Sequence, residues 1–306
     1  AQARAAAALL RAPGAGSGRP GAPKARVGRP QSGPPAPGAA CPAACGALWA
    51  GEAPCFFIFD KRGNFVVQEL ERLQQMVDGA RRIVFFGGAG VSTESGIPDF
   101  RSTDGLYSQS YDYPPEVILS RTFFDNNPAV FYRFYREKML FLSAQPNDAH
   151  RKLAQLEEAG RLTAVITQNI DNLHQKAGSK NVLELHGSVW RNYCMRCKKP
   201  YPVEAVLQAE GVPRCECGGI IRPDVVLYEE ALDTGVMEAA VRAVSQADLL
   251  IVGGTSLVVW PAAGLIRYFS GDSLVLINKG ETPYDDRADL LIRAPIAKTL
   301  GKIAVR

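Results

Sequence analysis

A glycine-rich turn follows an apolar run near residue 83, and this pairing restricts the fold more than any other part of the sequence. The run Ile83 to Phe86 leads directly into the segment 87–101, which reads GGAGVSTESGIPDFR. Glycine lets the backbone turn sharply and approach a ligand, and the free N–H groups at a helix start favour a phosphate. The sequence therefore predicts a strand, a tight turn and a helix start that together bind a nucleotide.

The spacing within this segment argues against two common nucleotide-binding motifs. In the dinucleotide fingerprint G-x-G-x-x-G, an acidic residue follows about 20 residues on. Here Thr93 stands in the place of the third glycine, and the chain continues into the polar and aromatic stretch 107–113. No Gly-Lys-Ser/Thr follows the turn, as a P-loop would require. An ordinary dehydrogenase and a P-loop NTPase are both disfavoured.

Apolar runs alternate with helical patterns along the rest of the chain. Runs typical of strands buried on both faces recur at 163–167, 247–252, 273–277 and 289–292. Helical spacing is found at 66–79, at 147–159 with Asn147 as a cap, and at 235–245. These patterns predict an α/β fold, a Rossmann-like doubly wound parallel sheet whose ligand lies beyond the carboxyl ends of the strands.

The first 62 residues differ from the rest in composition. Residues 1–51 carry six basic residues and no acidic one, which leaves 29 basic against 31 acidic residues elsewhere. An Ala-, Gly-, Pro- and Arg-rich segment without periodicity buries too little apolar surface to fold, so we expect a disordered tail over 1–62. We expect a cytoplasmic protein, although the Arg-rich, acid-poor tail also resembles an organellar transit peptide.

The nearly neutral remainder, 63–306, predicts one catalytic domain with no nucleic-acid partner and no membrane span. Two segments interrupt its α/β alternation, at about 102–146 and 187–223, and we expect them to form a smaller lobe. An aromatic stripe in the helical stretch 131–141 should form the core of this lobe. The stripe comprises Phe131, Phe134, Tyr135 and Phe141.

Four cysteines of the smaller lobe form two close pairs. The pairs are Cys194-x-x-Cys197 and Cys215-x-Cys217, separated by 17 residues. This spacing is close to that of four-cysteine zinc sites, in which two tight turns bring four thiolates around one ion. Disulfides or a redox Cys-x-x-Cys are the alternatives, and two close pairs favour zinc. With four protein ligands the zinc-ribbon module 194–217 would be closed and structural.

Of the three histidines, His186 is the best placed for chemistry. It follows the apolar run 182–185 and precedes Gly187, where a strand would leave the sheet. A histidine there can face a cleft and act as a general base, although a structural role is the alternative. His150 lies within a helical pattern and should pack or cap, and His174 should lie at a helix start.

The segment 168–171, Gln-Asn-Ile-Asp, supplies amide and carboxylate groups directly after a predicted strand. Such groups suit a pocket for a ribose or a carboxamide. A capping turn with Asp171 as the helix N-cap explains the same residues. The pattern alone leaves both interpretations open.

Several further motifs occur in a fixed order along the chain. They are Gly-Ala-Gly-Val-Ser at 88–92, Ser-Gly-Ile-Pro-Asp-Phe-Arg at 95–101, Thr-Gln-Asn-Ile-Asp at 167–171, Leu-His-Gly at 185–187, Arg-Pro-Asp-Val-Val at 222–226 and Gly-Thr-Ser at 254–256. Together with the cysteine pairs, they resemble the sirtuins, NAD-dependent protein deacylases, over about residues 63–306. The Tyr-Glu-Glu at 228–230 looks like bacterial members of that family.

The resemblance implies a role for each matching residue. His186 and Asn169 would be catalytic, and Cys194, Cys197, Cys215 and Cys217 would hold one structural Zn²⁺. NAD⁺ would be bound between the lobes by Gly88, Ala89, Gly90, Ser92, Thr93, Phe100, Arg101, Gln168, Asn169, Ile170, Asp171, Gly254, Thr255, Ser256, Asn278 and Ile296. Val225, Leu227 and Tyr228 would pair with the backbone of an acetylated-lysine protein as an added strand.

The implied activity is NAD-dependent protein-lysine deacetylation, which transfers the acetyl group from lysine to ADP-ribose and yields nicotinamide and 2′-O-acetyl-ADP-ribose. Alternatives are a mono-ADP-ribosyltransferase and a non-catalytic zinc-ribbon, nucleotide-binding protein. Sirtuins that favour acidic acyl chains carry Tyr-x-x-Arg after the Asp-Phe-Arg motif. Here Tyr107 is followed by Ser108, Gln109 and Ser110, so the resemblance implies a preference for uncharged acyl groups such as acetyl.

Overall fold

A computed structural model describes residues 66–100, 105 and 113–306 of the chain. The tail predicted for 1–62, Arg101 and the segment 107–110 lie outside these described residues. The described helices are α1 Val66–Gly79, α2 Pro115–Ile118, α3 Arg121–Asn126, α4 Pro128–Lys138, α5 Asp148–Glu158, α6 Leu173–Lys176, α7 Glu204–Leu207, α8 Thr234–Gln246 and α9 Ile296–Leu300. The strands are β1 Ile83–Gly87, β2 Leu162–Thr167, β3 Val182–Glu184, β4 Gly187–Cys194, β5 Pro200–Pro202, β6 Ile221–Val225, β7 Leu249–Gly253, β8 Ser273–Ile277 and β9 Leu290–Ile292.

Six of these strands form one parallel sheet in the order β3-β2-β1-β7-β8-β9. In its centre Phe86 lies between Ile166 of β2 and Val252 of β7. Every apolar run predicted as a strand forms a strand of this sheet, and each strand begins within two residues of its predicted start. The α/β, doubly wound fold class is therefore confirmed.

Both faces of the sheet are buried, which explains why its strands read as continuous apolar runs. Alternate residues of β1 show this division. Phe85 packs in a cluster with α1, α5 and α9, whereas Phe86 packs on the opposite face with α8 and the 3₁₀ segment Ala262–Tyr268. Both phenylalanines are completely buried.

The predicted helix start after β1 is not an α-helix. Two 3₁₀ turns follow the strand instead, Ala89–Val91 and Thr93–Ser95. Gly96 ends the second turn with a φ of 83°, a left-handed conformation that favours glycine. Pro98 lies two residues further on and offers no N–H to continue a helix.

The predicted helices around the sheet are confirmed, and two have the expected kind of N-cap. The side chain of Asn147 caps α5 by accepting a hydrogen bond from the N–H of Ala149 at 3.0 Å. Asp233 caps α8 in the same way, with Val236 as the donor at 2.8 Å. Caps of this kind contribute about 1 kcal/mol each to stability.

A second assembly, here called the small lobe, consists of helices α2 to α4 and the antiparallel sheet β5-β4-β6. Phe131, Phe134 and Tyr135 are buried in its core, as predicted. Phe141 differs, because α4 ends at Lys138 and Phe141 is only half-buried beyond it. The aromatic stripe is therefore one residue shorter than its sequence spacing indicated.

Among the described residues, no helix combines the length and the apolar character that crossing a bilayer would require.

Two neutral imidazoles, one on α5 and one on α6, are buried against each other. The rings of His150 and His174 lie 4.7 Å apart, and neither ring nitrogen of His174 has a hydrogen-bond partner among the described residues. Burial, helped by the charge of Arg151, lowers the pKa of His150 to about 4. Burial also lowers the pKa of His174. The expectations that His150 caps or packs and that His174 begins a helix are both confirmed.

These buried histidines predict a loss of stability in acid. Below a pH of about 6.5 the unfolded chain takes up protons that the folded chain excludes, so the free energy of unfolding falls as the pH falls towards 4. For His150 alone the loss between pH 6.5 and 4.5 is about 2 kcal/mol. Urea unfolding of wild type and His150→Gln at both pH values measures it. A stability difference that is the same at both pH values would contradict this prediction.

Candidate active site

The carboxyl ends of β1, β2 and β7 lie side by side at one edge of the parallel sheet. From β1 the chain builds β2 and β3 on one side, and it later adds β7, β8 and β9 on the other. The strand order therefore reverses between β1 and β7. Ligands of doubly wound sheets bind in the crevice at such a point.

Glycines line this crevice on both sides. The N–H of Gly90 donates to the carbonyl of Gly254 at 2.8 Å, and the N–H of Gly88 donates to the carbonyl of Gly253 at 3.3 Å. Gly254 has a φ of 59°, and a Cβ there would lie 2.4 Å from the nitrogen of Val91. Only glycine fits at position 254, so the two turns can lie in direct contact.

Three polar side chains meet beside the glycine turn. The hydroxyl of Ser92 donates to the carboxylate of Asp171 at 2.6 Å and accepts from the amide of Asn169 at 3.0 Å. Ser92 is buried, and burial raises the pKa of Asp171 against the opposing hydrogen bonds from Ser92 and the N–H of Leu173. The cluster fixes an amide and a carboxyl group at the mouth of the crevice.

Both sequence interpretations of segment 168–171 hold in part. Asp171 accepts a hydrogen bond from the N–H of Leu173 at 2.9 Å, as in a capping turn, but the N-cap position of α6 is Asn172. The other carboxylate oxygen of Asp171 faces Ser92. A single side chain thus ends the turn and contributes to the polar cluster.

Gln168 connects the three strand ends to the candidate base. Its N–H donates to the carbonyl of Gly87, and its side-chain amide donates to the hydroxyl of Thr255, both at 3.0 Å. Its own carbonyl lies 2.8 Å from Nδ1 of His186. The residue therefore fixes His186 relative to the ends of β1 and β7.

The contact with Gln168 sets the tautomer of His186. A carbonyl oxygen only accepts hydrogen bonds, so Nδ1 must carry the proton and Nε2 has the free lone pair. Burial lowers the pKa of His186, while the hydrogen bond to Gln168 opposes that shift. The imidazole is therefore neutral at pH 7 and able to accept a proton at Nε2.

The donor set of this crevice fits NAD⁺. A nicotinamide carboxamide and a ribose need neighbouring donors and acceptors, and Asn169, Asp171 and Ser92 supply both within one cluster. Glycine turns on both sides leave backbone N–H groups without side-chain obstruction. The position at the strand-order reversal is where dinucleotides bind in this fold class.

The chain passes from the parallel sheet to the small lobe immediately after His186. Gly187 has a φ of 78°, and a Cβ there would lie 1.9 Å from the carbonyl oxygen of Asp224. Gly187 pairs with Val225, the last residue of β6, so the start of β4 lies against the end of β6 beside His186. This close approach requires glycine and places the predicted substrate segment next to the candidate base.

Hydrogen bonds already engage part of the predicted substrate segment. The N–H of Tyr228 donates to the carbonyl of Leu119 at 3.0 Å, and the N–H of Leu227 donates to the carboxylate of Glu230 at 2.9 Å. Tyr228 keeps an exposed side chain, whereas those of Leu227 and Val225 are buried. Pairing with a substrate backbone through the N–H groups of Leu227 and Tyr228 would require these bonds to be exchanged.

A buried ion pair holds this segment in place. Arg222 and Glu230 form a salt bridge, and Arg222 also donates to the carbonyl of Val225 at 3.0 Å. Burial alone would raise the pKa of Glu230, but hydrogen bonds from Arg222 and the N–H of Leu227 lower it below its ordinary value. Glu230 is therefore ionised and fixes the chain between Val225 and Leu227.

The four cysteines of the small lobe converge as predicted, with all sulfurs within 4.8 Å of one another. Two of the separations are 3.4 Å, from Cys194 to Cys217, and 3.6 Å, from Cys197 to Cys215. Sulfurs around a tetrahedral zinc lie about 3.8 Å apart, whereas a disulfide bond is about 2.05 Å long. The cluster fits a structural zinc ion and excludes the disulfide alternative for these four residues.

A family model described as the Sir2 family matches residues 88–261, more than half of the chain. The chain belongs to the Sir2 family. The matched range includes the glycine turn, the Gln168 segment, His186 and the four cysteines. The predicted resemblance to the sirtuins is confirmed.

Bacterial members of the Sir2 family are close relatives. An NAD-dependent protein deacetylase of Clostridium acetobutylicum is 59% identical over 242 residues, which are 78% of this chain and 99% of the relative. An NAD-dependent protein deacetylase of Cutibacterium acnes is 52% identical over 235 residues, which are 76% of this chain and 96% of the relative.

Solved structures of Sir2 proteins share the fold. One, described as Sir2 with a p53 peptide and NAD⁺, is 44% identical with a TM-score of 0.68, and the match covers 76% of this chain and 95% of that one. Another, described as Sir2 bound to an acetylated peptide, is 43% identical with the same TM-score and the same coverage.

Other residues predicted to bind NAD⁺ lie around the central cluster of this Sir2 family chain. Ala89 and Thr93 lie in the two 3₁₀ turns, Ser256 follows β7, and Asn278 follows β8 at the same edge of the sheet. Phe100 and Ile170 are half-buried and pack against the core of the small lobe.

Ile296 is the first residue of α9, and its contact with NAD⁺ stays a prediction. Its side chain is buried in the core beneath Gly253, where a Cβ would lie 1.9 Å from its Cδ1. If Ile296 contacts NAD⁺, its backbone atoms make the contact, because its side chain is buried.

Two polar contacts near the site were missed by the sequence analysis. The indole nitrogen of Trp190 donates to the carbonyl of Asp171 at 3.1 Å, and the amide of Asn147 donates to the carbonyl of Val91 at 2.8 Å. Asn147 was predicted only as a helix cap. Neither residue lies in a motif, and periodicity reports only which face of an element is buried, so nothing in the pattern indicated these contacts.

Proposed function

We propose that this Sir2 family member is an NAD-dependent protein-lysine deacetylase that transfers the acetyl group from lysine to ADP-ribose. Its substrates are proteins with acetylated lysines. The observation that carries the proposal is the 2.8 Å contact between Nδ1 of His186 and the carbonyl oxygen of Gln168, which leaves Nε2 as the proton acceptor of the imidazole. Its location in the cytoplasm stays a prediction from the sequence.

The chemistry needs a leaving group and a base. Bound NAD⁺ supplies an electrophilic ribose carbon, with nicotinamide as the leaving group, to which the acetyl oxygen adds. Asn169 and Asp171 orient the nicotinamide ribose and carboxamide, and Ser92 holds both side chains in register. His186 would accept a proton from a ribose hydroxyl at Nε2, which would make that oxygen nucleophilic towards the acetyl carbon. One water would then add and the lysine amine would leave, so that the acetyl group ends on ADP-ribose.

The small lobe binds the protein substrate. The substrate backbone pairs with Val225 at the end of the edge strand β6 and with Leu227 just beyond it, and such main-chain pairing tolerates varied sequences around the lysine. Their proximity to Gly187 brings the acetyl-lysine towards His186. A zinc ion would join the two cysteine turns at one end of this sheet, where Cys194 pairs with Ile221, and would take no part in the reaction.

Nicotinamide release in the presence and absence of an acetylated peptide tests the proposal. We expect one nicotinamide for each acetyl group removed, and no release with the same peptide unacetylated. A mono-ADP-ribosyltransferase would release nicotinamide without an acetyl group and label a protein with ADP-ribose. A non-catalytic nucleotide-binding protein would release none.

The acyl preference gives a separate prediction. Between Arg101 and Arg121 the sequence contains no arginine or lysine to pair with the distal carboxylate of a succinyl group. Burying that carboxylate without a partner costs several kcal/mol, so kcat/KM for succinyl-lysine should be at least about tenfold below that for acetyl-lysine. Two versions of one peptide measure the ratio. Equal or faster desuccinylation would refute this preference.

A further inference from the structure

The side chain of Asn147 joins the start of α5 to the turn that follows β1. Its Oδ1 accepts from the N–H of Ala149 at 3.0 Å, which is the helix cap. Its Nδ2 donates to the carbonyl of Val91 at 2.8 Å and to the hydroxyl of Ser95 at 3.0 Å. Asn147 is only 8% exposed, so water does not replace these bonds freely.

The bonds to Val91 and Ser95 hold the part of the turn that carries Ser92. The carbonyl of Val91 belongs to the peptide group that precedes Ser92, and Ser92 in turn holds Asn169 and Asp171. A shift of this peptide group would move all three members of the polar cluster. Asn147 therefore acts on the cluster through the backbone and does not touch it.

A second helix N-terminus is also bonded to this turn. The carboxylate of Glu94 accepts a hydrogen bond from the N–H of Ala297, in the first turn of α9, at 2.8 Å. Between residues 91 and 95 the turn is thus fastened to α5 and to α9. The turn has i→i+3 hydrogen bonds of its own, such as those from Ser92 to Ala89 and from Ser95 to Ser92, but their geometry is poorer than in an α-helix, so the external bonds add to its rigidity.

Helix capping alone does not explain an asparagine at position 147. Serine, threonine and aspartate cap helices about as well, since each offers an acceptor oxygen. Asparagine is the one residue of this group that adds two N–H donors to that acceptor. Both donors are used here, and both point to the turn.

We propose that Asn147 is a positioning residue for NAD⁺, which fixes the 91–95 turn in the conformation that binds the nucleotide. This inference rests on the proposed function. Without the amide, the turn samples other conformations, and binding of NAD⁺ must first order it. The effect falls on the affinity for NAD⁺ and spares the chemical step, because His186 is held independently by Gln168.

The variant Asn147→Ser tests this, because it keeps a capping oxygen and removes both donors. We expect its KM for NAD⁺ to rise about tenfold, with kcat within about threefold of wild type and an unchanged KM for the peptide. Amide hydrogens of residues 91–96 should exchange faster in the NAD-free protein. Asp233→Ala is the matched control, since it removes the cap of α8 and leaves the turn intact.

A second variant keeps the test decisive if Asn147→Ser does not fold. Ser95→Ala removes one acceptor and leaves the cap untouched, so we expect a smaller increase in the KM for NAD⁺. The double variant should behave like Asn147→Ser alone, since Ser95 acts through the same amide. An unchanged KM for NAD⁺ in Asn147→Ser would overturn the proposal, and Ser95→Ala takes its place if that variant does not fold. An equal increase of the KM for NAD⁺ in Asp233→Ala would also overturn it. Hydrogen exchange needs no turnover, so it tests whether Asn147 fixes the 91–95 turn even if the protein proves not to be a deacetylase.

Discussion

Replacing His186 with alanine should lower kcat by about 100-fold or more, because general-base catalysis contributes at least that factor. The affinity for NAD⁺ should stay nearly unchanged, since the cluster of Ser92, Asn169 and Asp171 contains no contact to the imidazole. Single-turnover deacetylation measures the first effect, and calorimetric titration with NAD⁺ measures the second. Activity near that of wild type would remove His186 from the mechanism.

The pH profile distinguishes loss of a base from loss of structure. In the wild type, kcat/KM should fall in acid as His186 becomes protonated, with an apparent pKa below the ordinary value of about 6.5 because the imidazole is buried. The residual activity of His186→Ala should lack this acidic limb. If both proteins show the same limb, another group is responsible for it.

Removing the zinc ion should unfold the small lobe. Structural zinc sites contribute most of the folding free energy of small modules, so Cys194→Ser should lower the melting temperature by about 10 °C or more. Deacetylation should fall with it, by at least about tenfold, because the sheet β5-β4-β6 carries Val225 next to His186. Metal analysis should find one zinc per wild-type chain and less in the variant.

The matched control is Cys55→Ser, which changes a cysteine outside the two close pairs. It should keep the zinc content, the melting temperature and the rate of wild type. A chelated protein that keeps both its melting temperature and its rate would show that the four-cysteine cluster has no structural metal.

Much of the fold follows from local sequence. The strands β1 and β7 are apolar throughout because both faces of the sheet are covered, and this pattern is readable without a structure. The two cysteine pairs are equally readable, because metal ligation fixes both residue type and spacing. The order of the motifs along the chain indicated the sirtuin family, and the match to the Sir2 family model confirms it.

What the sequence did not predict depends on contacts between distant segments. The tautomer of His186 is set by Gln168, a residue 18 positions away that belongs to another strand end. The engaged N–H of Tyr228 depends on Leu119 in the small lobe. Helical periodicity marked Asn147 as a cap, but only the folded chain brings its second set of donors to Val91.

Transfer of a labelled acetyl group tests the central claim most directly. A peptide carrying ¹³C-acetyl-lysine is incubated with the full chain and NAD⁺, and the products are separated and weighed by mass spectrometry. The account predicts that the label leaves the peptide and appears on ADP-ribose, in a one-to-one ratio with nicotinamide. Label recovered as free acetate from the start of the reaction, or NAD⁺ consumed while the label stays on the peptide, would contradict it.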